Sequence, residues 1–198
     1  MFVTGLVLAA GASRRLGEPK QLLAYKGTTV LGATLDTART CGFDQLVVTV
    51  GGGAAEVRDR INFRDCEVVE NEQFTTGCSS SIIAAIGVVD HRADGIVLLL
   101  GDQPDITTSA VKRLIEGAGT SPLGVCRYRD GVGHPLWFRR DVFDDLLALH
   151  GDKAVWKLLE SSRYPVRKVE VAGDIPLDVD TWEDYHALLA QVRGGSTR

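Results

Sequence analysis

The stretch LAAGASRRLGEPKQLL, residues 8–23, joins the first apolar run of the chain to a helical pattern and combines Gly11 and Gly17 with Arg14, Arg15 and Lys20. Glycine admits backbone geometry that a β-carbon resists, and Ala12 and Ser13 are small enough to leave amides uncovered. Open amides on one side and three cations on the other suit a chain of phosphates. The glycines do not form a dinucleotide-binding G-x-G-x-x-G, because Ala12 and Ser13 follow Gly11 where the second glycine is needed. Nor is this a P-loop, which needs Gly-Lys-Ser/Thr at a helix start; here Lys20 follows Pro19 and precedes Gln21. What remains is a triphosphate laid across strand-end amides, with guanidinium groups on its outer phosphates and an ammonium near its reacting phosphorus. A turn with solvated basic residues is the plain alternative.

Carboxylates complement that loop. In LLLGDQPDIT, residues 98–107, Asp102 follows an apolar strand and a glycine and precedes a proline, which puts it at a sheet edge where it can carry Mg2+ toward phosphate oxygens. Asp105 or Thr107 suits the cap of the helix that follows. In IPLDVDTWEDY, residues 175–185, Asp178 and Asp180 point the same way from an extended segment and can complete a carboxylate pair around magnesium. Asp180 or Thr181 can instead cap the final helix, with Glu183 and Asp184 favourable in its first turn. TGCSSSIIAAI, residues 76–86, offers amides and hydroxyls, including those of Ser79 and Ser80, to a base or ribose; each serine is equally suited to helix capping. Cys78 has no histidine in its motif, which argues against a thiol enzyme. VGGGAA, residues 50–55, is a strand-to-helix turn.

These groups need a sheet to gather them. GLVLAA, QLVVTV, CEVVE, GIVLLL and LGVCRY are short apolar strands. Between them Leu31, Leu35 and Ala38 share one helical face, as do Ile82, Ile86 and Val89, and Val111, Leu114, Ile115 and Ala118. Apolar strands alternating with helices predict a three-layer α/β sandwich with a mostly parallel, Rossmann-like central sheet, whose ligands collect at the strands' carboxyl ends. After residue 130 the order is less regular: GHPLWFRR and YPVRKVEV are candidate strands. A last helix carries Trp182, Tyr185, Leu188, Leu189 and Val192 on its apolar side. The expected organisation is a single domain over residues 1–193 and a flexible tail over residues 194–198.

The chain has 198 residues, 44% hydrophobic and 24% charged, enough for one sizeable core. A net charge of -4 argues against a general nucleic-acid partner. The apolar start lacks the preceding positive charge of a signal peptide, and no other apolar run reaches a membrane span. Four cysteines without a C-x-x-C pair suit a reduced, cytoplasmic protein and argue against structural zinc.

Taken together, LAAGASRRLGEPKQLL, TGCSSSIIAAI, GDQPDIT, GVGHPLWF and LDVDTWEDY, in this order and spacing, make the chain resemble the molybdenum-cofactor nucleotidyltransferases, within the wider nucleotidyltransferase A superfamily. The resemblance covers nearly the whole chain. The double alanine of LAAG, Ala9 and Ala10 before Gly11, is similar to the molybdopterin cytidylyltransferase branch; a second glycine there would suggest the guanylyl branch. The resemblance implies transfer of CMP from CTP to the terminal phosphate of molybdopterin, with release of pyrophosphate, and a possible molybdoenzyme client. It implies that Gly11 and neighbouring amides cradle phosphate, that Arg14 or Arg15 holds the outer phosphates, that Lys20 approaches the α-phosphate, and that Asp102 carries Mg2+ with Asp178 or Asp180. His134, in GHP, either donates to the acceptor phosphate or pterin or fixes the turn before a strand.

The chain departs from the family pattern at GDKAVWKLL, residues 151–159, which lacks an arginine expected there and leaves recognition of the second substrate open. Trp182 also stands where proline is common. Another phosphorylated small molecule could be the acceptor, and a non-catalytic nucleotide-binding accessory protein is the rival from a different class. Retention of Lys20, Asp102 and the later aspartates favours catalysis.

Overall fold

The computed structural model describes residues 1–151 and 153–195. Its elements begin with β1 (Val3–Ala9), β2 (Ala24–Tyr25), β3 (Thr28–Thr29), α1 (Val30–Thr40), β4 (Gln45–Val50), α2 (Ala54–Arg60) and β5 (Glu67–Glu70). They continue through α3 (Cys78–Ile86), β6 (Gly95–Leu100), α4 (Thr108–Ala118), β7 (Leu123–Tyr128) and β8 (Gly131–Arg139). The last are α5 (Phe143–Leu147), α6 (Ala154–Glu160), β9 (Val166–Glu170) and α7 (Trp182–Gly195). Part of the expected tail, residues 196–198, and residue 152 of GDKAVWKLL lie outside the described residues.

Seven strands form one sheet in the order β5-β4-β1-β6-β8-β7-β9. β1 pairs in parallel with β4 and β6, while β8 runs antiparallel to both β6 and β7. The sheet is therefore mostly parallel, as the apolar strands predict. Alternation along each strand splits the interior in two. Val7, Val97 and Leu99 pack on one face with Leu31, Leu35, Val111 and Leu114 of α1 and α4. Leu6, Leu8, Ile96 and Leu98 pack on the other with Ile82 of α3 and Leu146 of α5. Helices on both faces make the three-layer sandwich.

A third cluster of Leu16, Leu23, Tyr25, Val30, Val179 and Leu188 joins the loop after β1 to α7. Full burial of one leucine contributes about 1.5–3 kcal/mol, so Leu188 alone anchors the last helix appreciably. The two-residue strands β2 and β3 pair as a hairpin beside this cluster. Val89, expected on a helical face, lies beyond the end of α3 at Ile86, where Gly87 ends the helix. Among the described residues no helix is long and apolar enough to cross a membrane, and Cys41, Cys66, Cys78 and Cys126 form no disulfide.

Candidate active site

β1 lies beside β6, the middle strand of the seven, so their carboxyl ends open together, on the border where the connections turn to opposite sides. A cavity of about 370 Å³ lies there, lined by Leu8–Gly11 from the end of β1 and Leu100–Asp102 from the end of β6. Gly77, Cys78 and Ser81 at the start of α3 close another wall, and Lys20 and Asp180 reach in from the loop and the C-terminal segment. A neighbouring lobe of about 350 Å³ shares Gly11, Lys20, Phe74, Gly77 and Asp180 and adds Ala12–Arg15.

The loop is held from below by close approach. A β-carbon on Gly52 would stand 2.6 Å from Cα of Ala12, and one on Gly101 would stand 2.8 Å from Cβ of Ala9. The glycine turn at residues 50–55 thus packs beneath the loop, with the Gly52 amide donating to the Ala10 carbonyl at 3.1 Å. Ser13 adopts φ of 51°, a left-handed backbone uncommon outside glycine, asparagine and aspartate. Its carbonyl accepts from the amides of Leu16 and Gly17, and its hydroxyl accepts from the amide of Lys20 at 2.9 Å. Among the described residues the amides of Gly11, Ala12 and Ser13 have no hydrogen-bond partner.

Charge converges on Lys20. Its Nζ lies 2.5 Å from Oδ2 of Asp102 and 2.8 Å from Oδ1 of Asp180, and Arg15 pairs with the other Asp180 oxygen at 2.7 Å. Burial alone would push the Lys20 ammonium down, but the two carboxylates outweigh it and hold its pKa above the ordinary value. Asp180 answers with a pKa held down: partial burial would raise it, and Lys20 and Arg15 prevail. Asp178 differs. It reaches solvent, yet the surrounding protein and the Asp102 and Asp180 carboxylates push its carboxyl up to about 6.

The two readings of the 178–181 segment separate cleanly. Thr181 Oγ1 accepts from the Asp184 amide at 3.2 Å, and Asp184 Oδ2 accepts from the Thr181 amide at 2.8 Å. That reciprocal pair is a capping box on α7, and it leaves the Asp180 side chain for the cavity. Similarly Thr107 caps α4, accepting from the Ala110 amide at 3.2 Å, while Asp105 instead accepts from Tyr25 and from Lys26. The C-terminal segment is tied to β6 by the Val179 amide, which donates to the Asp102 carbonyl at 3.1 Å.

The structure brings Ala9, Ala10, Gly11, Arg14, Arg15, Lys20, Asp102 and Asp180 around these two lobes, with Arg14 in the outer one. It does not bring Ser79 or Ser80 into the lining. Ser79 is buried, and Ser80 is engaged with the carbonyls of Gln73 and Gly77. Ser81 lines the cavity instead, accepting from the buried Asn71 side chain at 2.9 Å. His134 lies inside β8 rather than before it and outside the lining of either lobe, its ring edge-on to Trp156 with centroids 5.7 Å apart. Burial pushes its imidazole down to about 4, so it is neutral at physiological pH.

Hard carboxylate oxygens from Asp102, Asp178 and Asp180 are the donor type that Mg2+ and Mn2+ prefer. Asp102 and Asp180 already share one cation, the Lys20 ammonium, while Asp178 is absent from the lining of both lobes. The donor set fits such an ion, although no three acidic, histidine or cysteine side chains among the described residues are already gathered to hold one.

Unpartnered amides, a lysine and two aspartates thus meet where β1 and β6 end, Asp102 just past β6 and Asp180 from the segment before α7. The chain belongs to the family of the MobA-like NTP transferase domain, which it matches over residues 5–168. It is 36% identical to nicotine blue oxidoreductase of Paenarthrobacter nicotinovorans over 197 residues, covering 94% of this chain and 96% of that protein. Among solved structures it is similar to Rv0371c of Mycobacterium tuberculosis H37Rv, 54% identical with a TM-score of 0.91 over 96% of this chain and 98% of that one. A manganese complex of Rv0371c aligns at 52% identity and a TM-score of 0.88, over 96% and 99% of the two chains. A nucleotidyl transferase from Methanothermobacter, Mth528, aligns at 27% identity and a TM-score of 0.81, over 98% and 99%.

Proposed function

We propose that the chain transfers CMP from CTP to the terminal phosphate of molybdopterin and releases pyrophosphate, with Mg2+ as its ion. The observation that carries this reading is the position of Lys20 Nζ, between Asp102 and Asp180 and beside the unpartnered amides of Gly11, Ala12 and Ser13. Those amides and Arg14 or Arg15 cradle the β- and γ-phosphates, and Lys20 turns to the α-phosphate. Mg2+, held by Asp102 with Asp178 or Asp180, supplies neutralisation of charge on the phosphates when bound. The acceptor phosphate is already an anionic nucleophile, so no catalytic base is required. Its oxygen bonds to the α-phosphorus as the bond to the β-phosphate oxygen breaks, and pyrophosphate leaves with the electron pair. The protein's task is alignment and charge stabilisation. Ser81 and the amides at the start of α3 address the base or ribose.

An acceptor that extends beyond the two lobes meets His134 as a neutral hydrogen-bonding group rather than a cation. The product passes to a molybdoenzyme client, and the setting is the cytoplasm. A second reading, in which the same nucleotidyl transfer serves a different phosphorylated acceptor, is favoured by residues 151–159, which lack the expected arginine. The name of the relative called nicotine blue oxidoreductase supports a third, oxidation or reduction of nicotine blue, for which the Lys20, Asp102 and Asp180 array has no evident use.

Pyrophosphate release measured with CTP, Mg2+ and molybdopterin tests the proposal. Release that depends on both substrates supports it. Release with other phosphorylated acceptors alone moves the assignment to the second reading, and nucleotide binding without release leaves an accessory protein.

A further inference from the structure

Gln21 is only 2% exposed, follows Lys20 in the short 3-10 turn Lys20–Leu22, and lines the cavity. Its Nε2 donates to the Ala9 carbonyl at 2.7 Å and to the Gly11 carbonyl at 3.0 Å. Its Oε1 accepts from the Ser13 hydroxyl at 3.4 Å, and that hydroxyl in turn accepts from the Lys20 amide. The carbonyl between the two, that of Ala10, accepts from the Gly52 amide on the glycine turn. Three successive carbonyls are therefore taken up by donors of the protein itself, while the amides of Gly11, Ala12 and Ser13 have no partner among the described residues.

This asymmetry is what a polyphosphate requires. Peptide N–H dipoles attract an anion, and a carbonyl turned toward the same anion repels it. A buried carbonyl without a donor is itself unfavourable by about 1–3 kcal/mol. If Gln21 were removed, the Ala9–Ala10 and Gly11–Ala12 peptides, whose carbonyls it holds, would gain from rotating toward solvent, and their oxygens would then face the phosphates. We propose that Gln21 is a positioning residue that fixes the peptide orientation of residues 9–11, so that the loop meets the polyphosphate of a nucleotide with N–H groups alone. The inference rests on the nucleotidyl-transfer reading and adds to it a residue that touches no reacting atom.

Two variants test it, with inorganic pyrophosphate and Mg2+ as the calorimetric probe and CTP kinetics alongside. Gln21→Met keeps length and loses every hydrogen bond; its dissociation constant for pyrophosphate should rise at least tenfold at pH 8, and KM for CTP should rise more than kcat falls. Gln21→Glu keeps shape but presents a carboxylate to two carbonyls at pH 8. When protonated toward pH 5.5 it regains an O–H donor, so its affinity relative to wild type measured at the same pH should recover by tenfold or more. A merely structural role predicts no such recovery. If Gln21→Met does not fold, the pH profile of Gln21→Glu decides alone. A ratio to wild type that stays flat across pH, or either variant binding within twofold of wild type at pH 8, overturns the inference and leaves the transferase reading intact. Wild-type protein that binds neither pyrophosphate nor CTP overturns both.

Discussion

The loop after β1 and the segment after β9 deliver opposite charges to one cavity, and they are held by different means. The loop rests on backbone: Gly52 and Gly101 let neighbouring main chain approach to distances no β-carbon would allow. Residues 171–181 contain no strand or helix and are pinned by a buried side chain together with a few main-chain bonds, such as that of the Val179 amide to the Asp102 carbonyl. Val179 is fully buried in the cluster with Leu16 and Leu188, and Asp178 and Asp180 flank it. Amides that must contact an anion need a bare, fixed main chain, whereas a carboxylate that must reach an ion or a lysine needs only an anchored base and a free tip. Each wall is built to suit the atom it presents.

Removing Lys20 strikes the point where the two walls meet. Lys20→Ala should lower turnover on the order of a hundredfold or more with little change in the thermal midpoint, since Leu16 and Leu23 still anchor the loop. Ordinary turnover in a folded variant rejects the assignment. Asp102→Asn tests the carboxylate wall. It weakens a hard anionic ligand at constant size, so half-maximal activity should require at least about tenfold more Mg2+, the lower end of the effect of even outer partners; an unchanged metal titration removes Asp102 from the ion.

Ala10→Gly probes the rigidity of the loop. Relief of the methyl should shift the ratio of kcat/KM for CTP over GTP by roughly tenfold toward GTP, or about 1.4 kcal/mol. An unchanged ratio rejects the steric cause, and a wild-type preference for GTP rejects the base assignment. The smallest effect separates anchor from tip on the other wall. Thr181→Ala should lower stability by about 1 kcal/mol in denaturant unfolding and leave kcat close to wild type, whereas Asp180→Asn should lower activity without a comparable loss of stability. The reverse pattern would exchange the two roles.

Much of the parallel half of the sheet is legible in the sequence, because strands buried on both faces are nearly continuous apolar runs such as residues 95–100. The two-residue strands β2 and β3 leave no periodicity to read. Within the site, Lys20 and Asp102 can be picked out, because a cation in a glycine-containing loop and a carboxylate just past a buried strand have few structural uses, whereas the sequence leaves the choices between Arg14 and Arg15 and between Asp178 and Asp180 open. The choice among serines is not legible, since consecutive helical residues turn by about 100° and helix phase decides that Ser81 faces the cavity. Gln21 leaves an even fainter trace, a lone amide between Lys20 and two leucines. Its three bonds all run to residues 8–12 positions earlier, and only the folded loop shows that they coincide. Asp180 and Thr181 are both competent caps by type; Asp184 selects between them by position.

The ion pair between Lys20 and Asp180 spans 160 positions, and that distance along the chain has a consequence during synthesis. Residues 1–102 hold the loop after β1, the glycine turn and Asp102, and they leave the ribosome well before Val179 and α7 can seat beneath Leu16. At about 5–20 residues per second, an interval of several seconds separates the emergence of Asp102 from that of Asp180. During it, Lys20 has only Asp102 of its two carboxylate partners and Arg15 lacks its partner Asp180. Waiting adds little entropy, because doubling the length of a closed loop costs about 0.6 kcal/mol. On the proposed function, a translation product halted before residue 178 is expected to bind anions with the first wall and to lack the second.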